Sequence, residues 1–103
     1  MPNPNICTSL DEVRQHIDRL DEVLVRLIAQ RGDYVRQAAA FKRTRAEIPA
    51  PQRVAQVLAH VDDLALAHGA PRPVVAAVWQ AMISAFIEME HATHAALHPP
   101  PQS

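Results

Sequence analysis

Apolar and small side chains recur along the first half of the chain at alternating steps of three and four residues. They are Leu10, Val13, Ile17, Leu20, Leu24, Leu27, Tyr34, Ala38 and Phe41. This spacing places them on one face of an α-helix, as in a coiled coil. It predicts one long helix over about residues 10–43, opened by an S-x-x-E capping box at residues 9–12. Arg31 alone interrupts the apolar stripe.

Proline and glycine divide the rest of the chain into two further helices. The segment Ile48-Pro49-Ala50-Pro51 predicts a loop over residues 44–50, with Pro51 as the first residue of the second helix. Gly69 is its expected end, and Pro71-Arg72-Pro73 leads into a third helix that frays near Ala96. No strand-like alternation occurs. The pattern predicts an all-α domain over residues 9–97, between a disordered arm (1–8) and a disordered tail (98–103).

Composition narrows the class of protein. The chain has 103 residues, enough for one domain, and its ten Lys and Arg balance eleven Asp and Glu. This balance is not that of a nucleic-acid-binding protein. Cys7 is the only cysteine, so an intrachain disulfide is impossible. Without a secretory signal or a long apolar run, we expect a cytoplasmic protein with no membrane partner.

The length of the first helix predicts a dimer. At 1.5 Å per residue, residues 10–43 span about 50 Å, whereas a compact 100-residue domain has a radius of gyration of about 13 Å. Two shorter helices of the same chain cannot cover such a stripe, and large exposed apolar patches mark interfaces. We therefore expect an intertwined homodimer of three-helix protomers, in which two long helices pack together.

Three cations are related to the stripe by helix geometry. Lys42 follows Arg31 by eleven residues, almost three turns, so both project from nearly the same face. Arg14 precedes Arg31 by 17 residues, about 25 Å along the axis and about 100° round it. In an antiparallel helix pair, Arg14 of one chain can meet Arg31 of the other. Guanidinium groups bind carboxylates bidentately, so this convergence predicts a small dianionic ligand.

Simpler interpretations stand beside this one. Each arginine alone could extend to solvent or pair with Glu90, Asp33 or Asp18. Glu90 itself falls on the inward face of the third helix or at its solvent edge. The histidines His91, His94 and His98 share a helix face and could bind a metal ion, but we expect them at the surface. Cys7 is interpreted as an incidental thiol, and no metal site is predicted.

Several stretches resemble the all-α chorismate mutase family, and within it the isochorismate-pyruvate lyases of salicylate and siderophore biosynthesis. They are "VRQHIDRLD" with Arg14, "QRGDYVRQAAAFK" with Arg31 and Lys42, and "IPAPQRV" at residues 48–54. The resemblance extends from about Cys7 to His91. It implies a three-helix protomer in an intertwined dimer, in agreement with the expectation from helix length.

The resemblance also implies roles for the charged residues. Arg14 from the partner chain and Arg31 would hold the two carboxylates of a dianionic enolpyruvyl ether. Lys42 would donate to the ether oxygen and a carboxylate, and Glu90 would donate a second hydrogen bond to that oxygen. Both reactions of the family are pericyclic, so no nucleophile, metal or redox cofactor is needed. Catalysis would consist of holding the reactive conformer and stabilising developing charge.

Two departures bear on the activity. Mutases of the family commonly have Arg-Glu early in the second helix, whereas this chain has Arg53-Val54, which favours the lyase with mutase as a side activity. The lyases usually have glutamine at position 90. A carboxylate cannot donate a hydrogen bond but a carboxylic acid can, so Glu90 would have to be protonated. Chorismate mutase is the alternative. A non-catalytic dimer that binds a small dianion, with Glu90 neutralising Lys42 when empty, is another.

Overall fold

The computed structural model describes residues 6–42, 47 and 50–97. Three α-helices and no strand occur in these ranges: α1 (Leu10–Phe41), α2 (Pro51–His68) and α3 (Arg72–Leu97). The all-α class and the three helices are confirmed, with ends close to the predicted residues. The tail at 98–103, the first five residues of the arm, residue 43 at the predicted end of the first helix, and residues 44–46, 48 and 49 of the predicted loop lie outside the described residues.

Two compact units divide the chain within α1, Met1–Asp33 and Tyr34–Ser103. In the first unit, side chains cap the start of α1. The Glu12 N–H donates to Ser9 Oγ at 3.1 Å, while Glu12 Oε2 accepts from the N–H and hydroxyl of Thr8, each at 3.0 Å. The predicted capping box therefore forms with one change, since Glu12 reaches back to Thr8 instead of Ser9. The Thr8 N–H, followed by its hydroxyl, lowers the pKa of Glu12 below its ordinary value.

The apolar stripe of α1 is exposed in the single chain. In the N-terminal unit its exposed members are Leu10, Val13, Ile17, Leu20, Leu24 and Leu27. Elsewhere on this part of α1, Glu22 and Arg26 form an exposed ion pair one turn apart at 2.9 Å. Glutamate N-terminal to a cation at this spacing supports the helix modestly. The unit thus presents a row of large apolar side chains to its surroundings.

In the second unit, α2 and α3 pack against each other. Val61 and Ala65 of α2, Ile83 of α3 and Ala39 in the last turns of α1 are buried. α2 begins at Pro51, as predicted, after an extended Ala50. The backbone of Ala50 fits the steric restriction that proline imposes on the residue before it.

A Schellman motif ends α2. The Ala70 N–H donates to Ala65 O at 2.9 Å and the Gly69 N–H donates to Leu66 O at 3.4 Å. Gly69 has φ 67°, the left-handed conformation that glycine adopts without a Cβ penalty. The chain then turns through residues 69–71 into α3. Gly69 therefore acts as the predicted stop signal.

By length and composition alone, α3 could cross a membrane. This differs from our expectation, which looked for an uninterrupted apolar run. α3 carries only Arg72, Glu88 and Glu90 as charged residues, apart from histidines, and is rich in alanine. A core helix of a globular domain meets the same criteria, and α3 packs against α2. Only 11% of the apolar stretch of α3 that meets these criteria is buried in the single chain, so contact with α2 covers a small part of it.

A bidentate ion pair fastens the start of α3 to α2. Arg72 Nε donates to Asp62 Oδ1 at 2.8 Å and Nη2 donates to Oδ2 at 2.7 Å. The hydrogen bonds from Arg72 lower the pKa of Asp62 below its ordinary value of 3.8. Because the folded-state pKa is depressed, the stabilisation is complete above the ordinary pKa and is lost as the pH falls through the lowered value.

We predict that Asp62→Asn lowers the melting temperature slightly at neutral pH, since exposed pairs contribute little. The difference from the natural protein should shrink as the pH falls below 3.8. Thermal unfolding followed by circular dichroism across this range measures it. Asp63→Asn is the matched control, because it removes the neighbouring charge without breaking the bidentate contact. The prediction would be contradicted if both variants lowered the melting temperature equally. It would also be contradicted if the melting temperature of Asp62→Asn stayed equally far below that of the natural protein in acid.

Candidate active site

Lys42 lies immediately after the last residue of α1. Its N–H donates to Ala39 O at 3.3 Å, a short turn that closes the helix end. Its side chain is 22% exposed, and the ammonium group forms an ion pair with the carboxylate of Glu90 on α3. The helix dipole favours a cation at this end of α1. Two of the four predicted site residues are therefore in direct contact.

Glu90 faces inward and is only 8% exposed. Its position resolves the two interpretations of the sequence, which left this residue either on the packed face of α3 or at its edge. A carboxylate removed from solvent requires a partner, and Lys42 supplies one. In this contact Glu90 accepts a hydrogen bond from Lys42 through Oε2.

His94 holds the main chain of Lys42. It lies one turn after Glu90 on α3, and its Nε2 is 2.9 Å from Lys42 O. A carbonyl oxygen only accepts hydrogen bonds, so Nε2 carries the proton. The bond satisfies one of the carbonyl groups left without an intrahelical partner at the end of α1. One turn of α3 thus fixes Lys42 at its backbone and at its ammonium group.

The expectation of surface histidines is wrong for His94, which is 3% exposed. The signal was available in the sequence, since His94 follows Glu90 by four residues and Ile83 by eleven, the spacing of one helix face. His91 is half-buried, and its Nδ1 has no hydrogen-bond partner among the described residues. His98 lies outside those residues.

Lys42 can bind an anion only in competition with Glu90 or beside it. The two charges cancel, and the ammonium group has two further protons to donate. A ligand carboxylate that approached Lys42 would compete with Glu90 for the same donor. Fixed donors of this kind can also stabilise negative charge that develops on an oxygen during a reaction.

The structure does not bring Arg14 and Arg31 to one point. Both lie on α1 in the N-terminal unit, Arg14 exposed and Arg31 half-buried. Seventeen residues of helix separate them, about 25 Å. Arg14 and Arg31 of one chain therefore cannot hold the same small molecule together. The separation of the two residues along the helix predicted this result.

Val54 occupies the position at which mutases of the resembled family commonly have glutamate. It is half-buried in the first turn of α2, where its N–H donates to Ala50 O at 2.9 Å, and Arg53 beside it is exposed. No carboxylate is therefore available at this point of α2. Ile48 and Pro49, which carry part of the resemblance, lie outside the described residues.

Comparison with known proteins identifies the family of this chain. The family described as chorismate mutase type II matches residues 13–91. The isochorismate pyruvate lyase of Pseudomonas aeruginosa is 38% identical to this chain over 87 residues, which cover 84% of the chain and 86% of that protein. The family match includes most of α1, all of α2, most of α3 and both residues of the Lys42–Glu90 pair. The chain therefore belongs to the chorismate mutase type II family.

Proposed function

We propose that this protein is an isochorismate-pyruvate lyase, which converts isochorismate to salicylate and pyruvate. The observation that carries the proposal is its 38% identity to an isochorismate pyruvate lyase over most of both chains. Val54 adds support, since glutamate at this point of α2 is a feature of the mutases. The reaction is pericyclic, so the substrate supplies every atom of both products and no cofactor takes part.

Lys42 and Glu90 are the proposed catalytic residues. As the carbon–oxygen bond of the enolpyruvyl ether breaks, negative charge grows on the ether oxygen. The ammonium group of Lys42 donates to this oxygen and to a substrate carboxylate. The contact with His94 at 2.9 Å restrains the lysine backbone, so little reorganisation is needed when the charge develops.

Glu90 changes its role when the substrate binds. In the ligand-free chain it is the counter-ion of Lys42. A dianion that takes over Lys42 leaves Glu90 beside negative charge, which favours the protonated carboxyl group. In that form Glu90 donates the second hydrogen bond to the ether oxygen.

The complete site requires a homodimer. The exposed row of leucine, isoleucine and valine on α1 supplies an apolar surface of the kind that marks interfaces. In an antiparallel pair of α1 helices, Arg14 of one chain approaches Arg31 of the other. Arg14 in trans and Arg31 in cis then hold the two substrate carboxylates, and Lys42 and Glu90 act on the ether between them.

Two alternatives follow from particular observations. The family match favours chorismate mutase, which converts chorismate to prephenate. The ion pair between Lys42 and Glu90 favours a non-catalytic helical dimer that binds a small dianion, because Glu90 can neutralise Lys42 without a reaction taking place. The experiments below separate these three functions.

We expect purified protein to form salicylate from isochorismate, measured by salicylate fluorescence, well above the uncatalysed rate. Lys42→Ala should lower kcat by about 100-fold or more, the usual effect of losing one preorganised donor. Loss of chorismate absorbance with prephenate as the only product would instead identify a mutase. Binding of a dianionic analogue without turnover of either substrate would identify the non-catalytic dimer.

Activity should fall as the pH rises and Glu90 loses its proton in the complex, by up to about tenfold per pH unit. Glu90→Gln donates at every pH, so its profile of kcat/KM should be flat and its activity higher in alkaline solution. Glu88→Gln, exposed on the same helix, is the matched control and should keep the natural profile. A flat natural profile that Glu90→Gln leaves unchanged would exclude this role.

Mixing inactive Arg14→Ala and Lys42→Ala proteins should restore activity when subunits exchange. With random exchange, half of the dimers are mixed and each has one intact site, so about a quarter of the natural activity returns. Arg31→Ala mixed with Lys42→Ala is the control, because both residues serve the same site in cis and no intact site forms. Absence of recovery in the first mixture, despite demonstrated exchange, would refute a trans arginine.

A further inference from the structure

A second cluster of reactive side chains lies in the N-terminal unit and plays no part in the proposed reaction. It consists of Cys7, Glu12 and His16, whose sulfur, carboxylate oxygen and ring nitrogen all lie within 4.8 Å of one another. All three residues are half-buried. The sequence suggested no partners for Cys7, because this residue lies before α1, where helix periodicity does not predict neighbours. Glu12 and His16 are one turn apart on the same face.

We propose that Cys7, Glu12 and His16 form a binding site for a divalent transition-metal ion, with Zn²⁺ the best match. Thiolate, carboxylate and imidazole are the three protein ligands that zinc prefers, and three of them leave a fourth position for water. Zinc–ligand distances of about 2.0–2.3 Å imply that donor atoms lie on the order of 3.5 Å apart in a tetrahedral site. Small side-chain rotations are enough to close the cluster to this size.

Glu12 is prepared for this role by the cap of α1. Both hydrogen bonds from Thr8 end on Oε2 at 3.0 Å, so Oε1 can turn towards a metal ion. Partners of this kind orient a ligating group and strengthen the site.

Two anionic ligands offset both the charge of the ion and the unfavourable end of the helix dipole. The start of a helix repels an isolated cation, because the macrodipole is positive there. A thiolate and a carboxylate together carry two negative charges, which neutralise a divalent ion. Binding would also tie the segment before α1 to the second turn of the helix and shield the only thiol of the chain. The site is independent of the proposed lyase activity.

The test is a titration of the reduced full-length protein with Co²⁺, a spectroscopic substitute for zinc. We expect one equivalent to give a thiolate-to-cobalt charge-transfer band with the visible bands of four-coordination, and Zn²⁺ to abolish them. Zn²⁺ should also slow alkylation of Cys7. His16→Ala and Glu12→Gln should each weaken binding by at least about tenfold, the lower end of the effect of losing a supporting group.

Matched variants make the outcome unambiguous. Cys7→Ser should lose the charge-transfer band, while His60→Ala, exposed on α2, should bind cobalt as the natural protein does. A metal ion held by the histidines of α3 would give no thiolate band. Absence of the band in the natural protein, or an equally intense band in His16→Ala, would overturn the proposal. Circular dichroism establishes that each variant keeps its helices.

Discussion

The contact of Lys42 with Glu90 is the constraint on which the candidate active site depends. Neither charge is stable away from water without the other, so α3 must present its carboxylate where α1 ends. His94 reinforces the arrangement from the next turn by taking up the Lys42 carbonyl. The result is a cation whose position is fixed before any ligand arrives and whose charge is already balanced. A negatively charged ligand that replaces Glu90 at Lys42 must also compensate for the buried carboxyl group that it displaces.

α1 combines an exposed apolar surface, which must be covered, with two arginines, which need polar partners. Its N-terminal part exposes a row of large apolar side chains, and the same helix carries Arg14 and Arg31. A second copy of the chain resolves the conflict in the proposed dimer, because it covers the apolar row and supplies the missing arginine. The reaction then needs no further chemical group, since an arrangement of fixed donors is sufficient for a pericyclic step.

Most of the fold could be predicted from the sequence because its helix ends are set locally. Ser9, Pro51 and Gly69 each determine a boundary through the conformation or hydrogen bonds of their own neighbourhood. The apolar spacing of α1 likewise predicted a continuous helix. These features depend on residues only a few positions apart, so the sequence pattern is sufficient to predict them.

The candidate site was harder to predict from the sequence, because its contacts join residues that are far apart in the chain. The pairing of Lys42 with Glu90 was suggested only as one alternative, and the burial of His94 was missed, because both depend on how α3 meets the end of α1. The cluster around Cys7 was missed because Cys7 lies before the start of α1, where helix periodicity does not predict contacts. Positions on a helix face could be predicted, whereas contacts between distant segments could not.

The turn at Gly69 has a consequence for the order in which the protein folds. Residues 69–71 connect two helices that pack on each other, so the α2–α3 hairpin consists of contacts that are local in sequence. Such contacts form quickly, since little loop entropy is lost before they are made. Lys42 and Glu90 are 48 residues apart, and their meeting closes a longer loop. We expect the hairpin to assemble first and Lys42, the proposed catalytic lysine, to pack against it later.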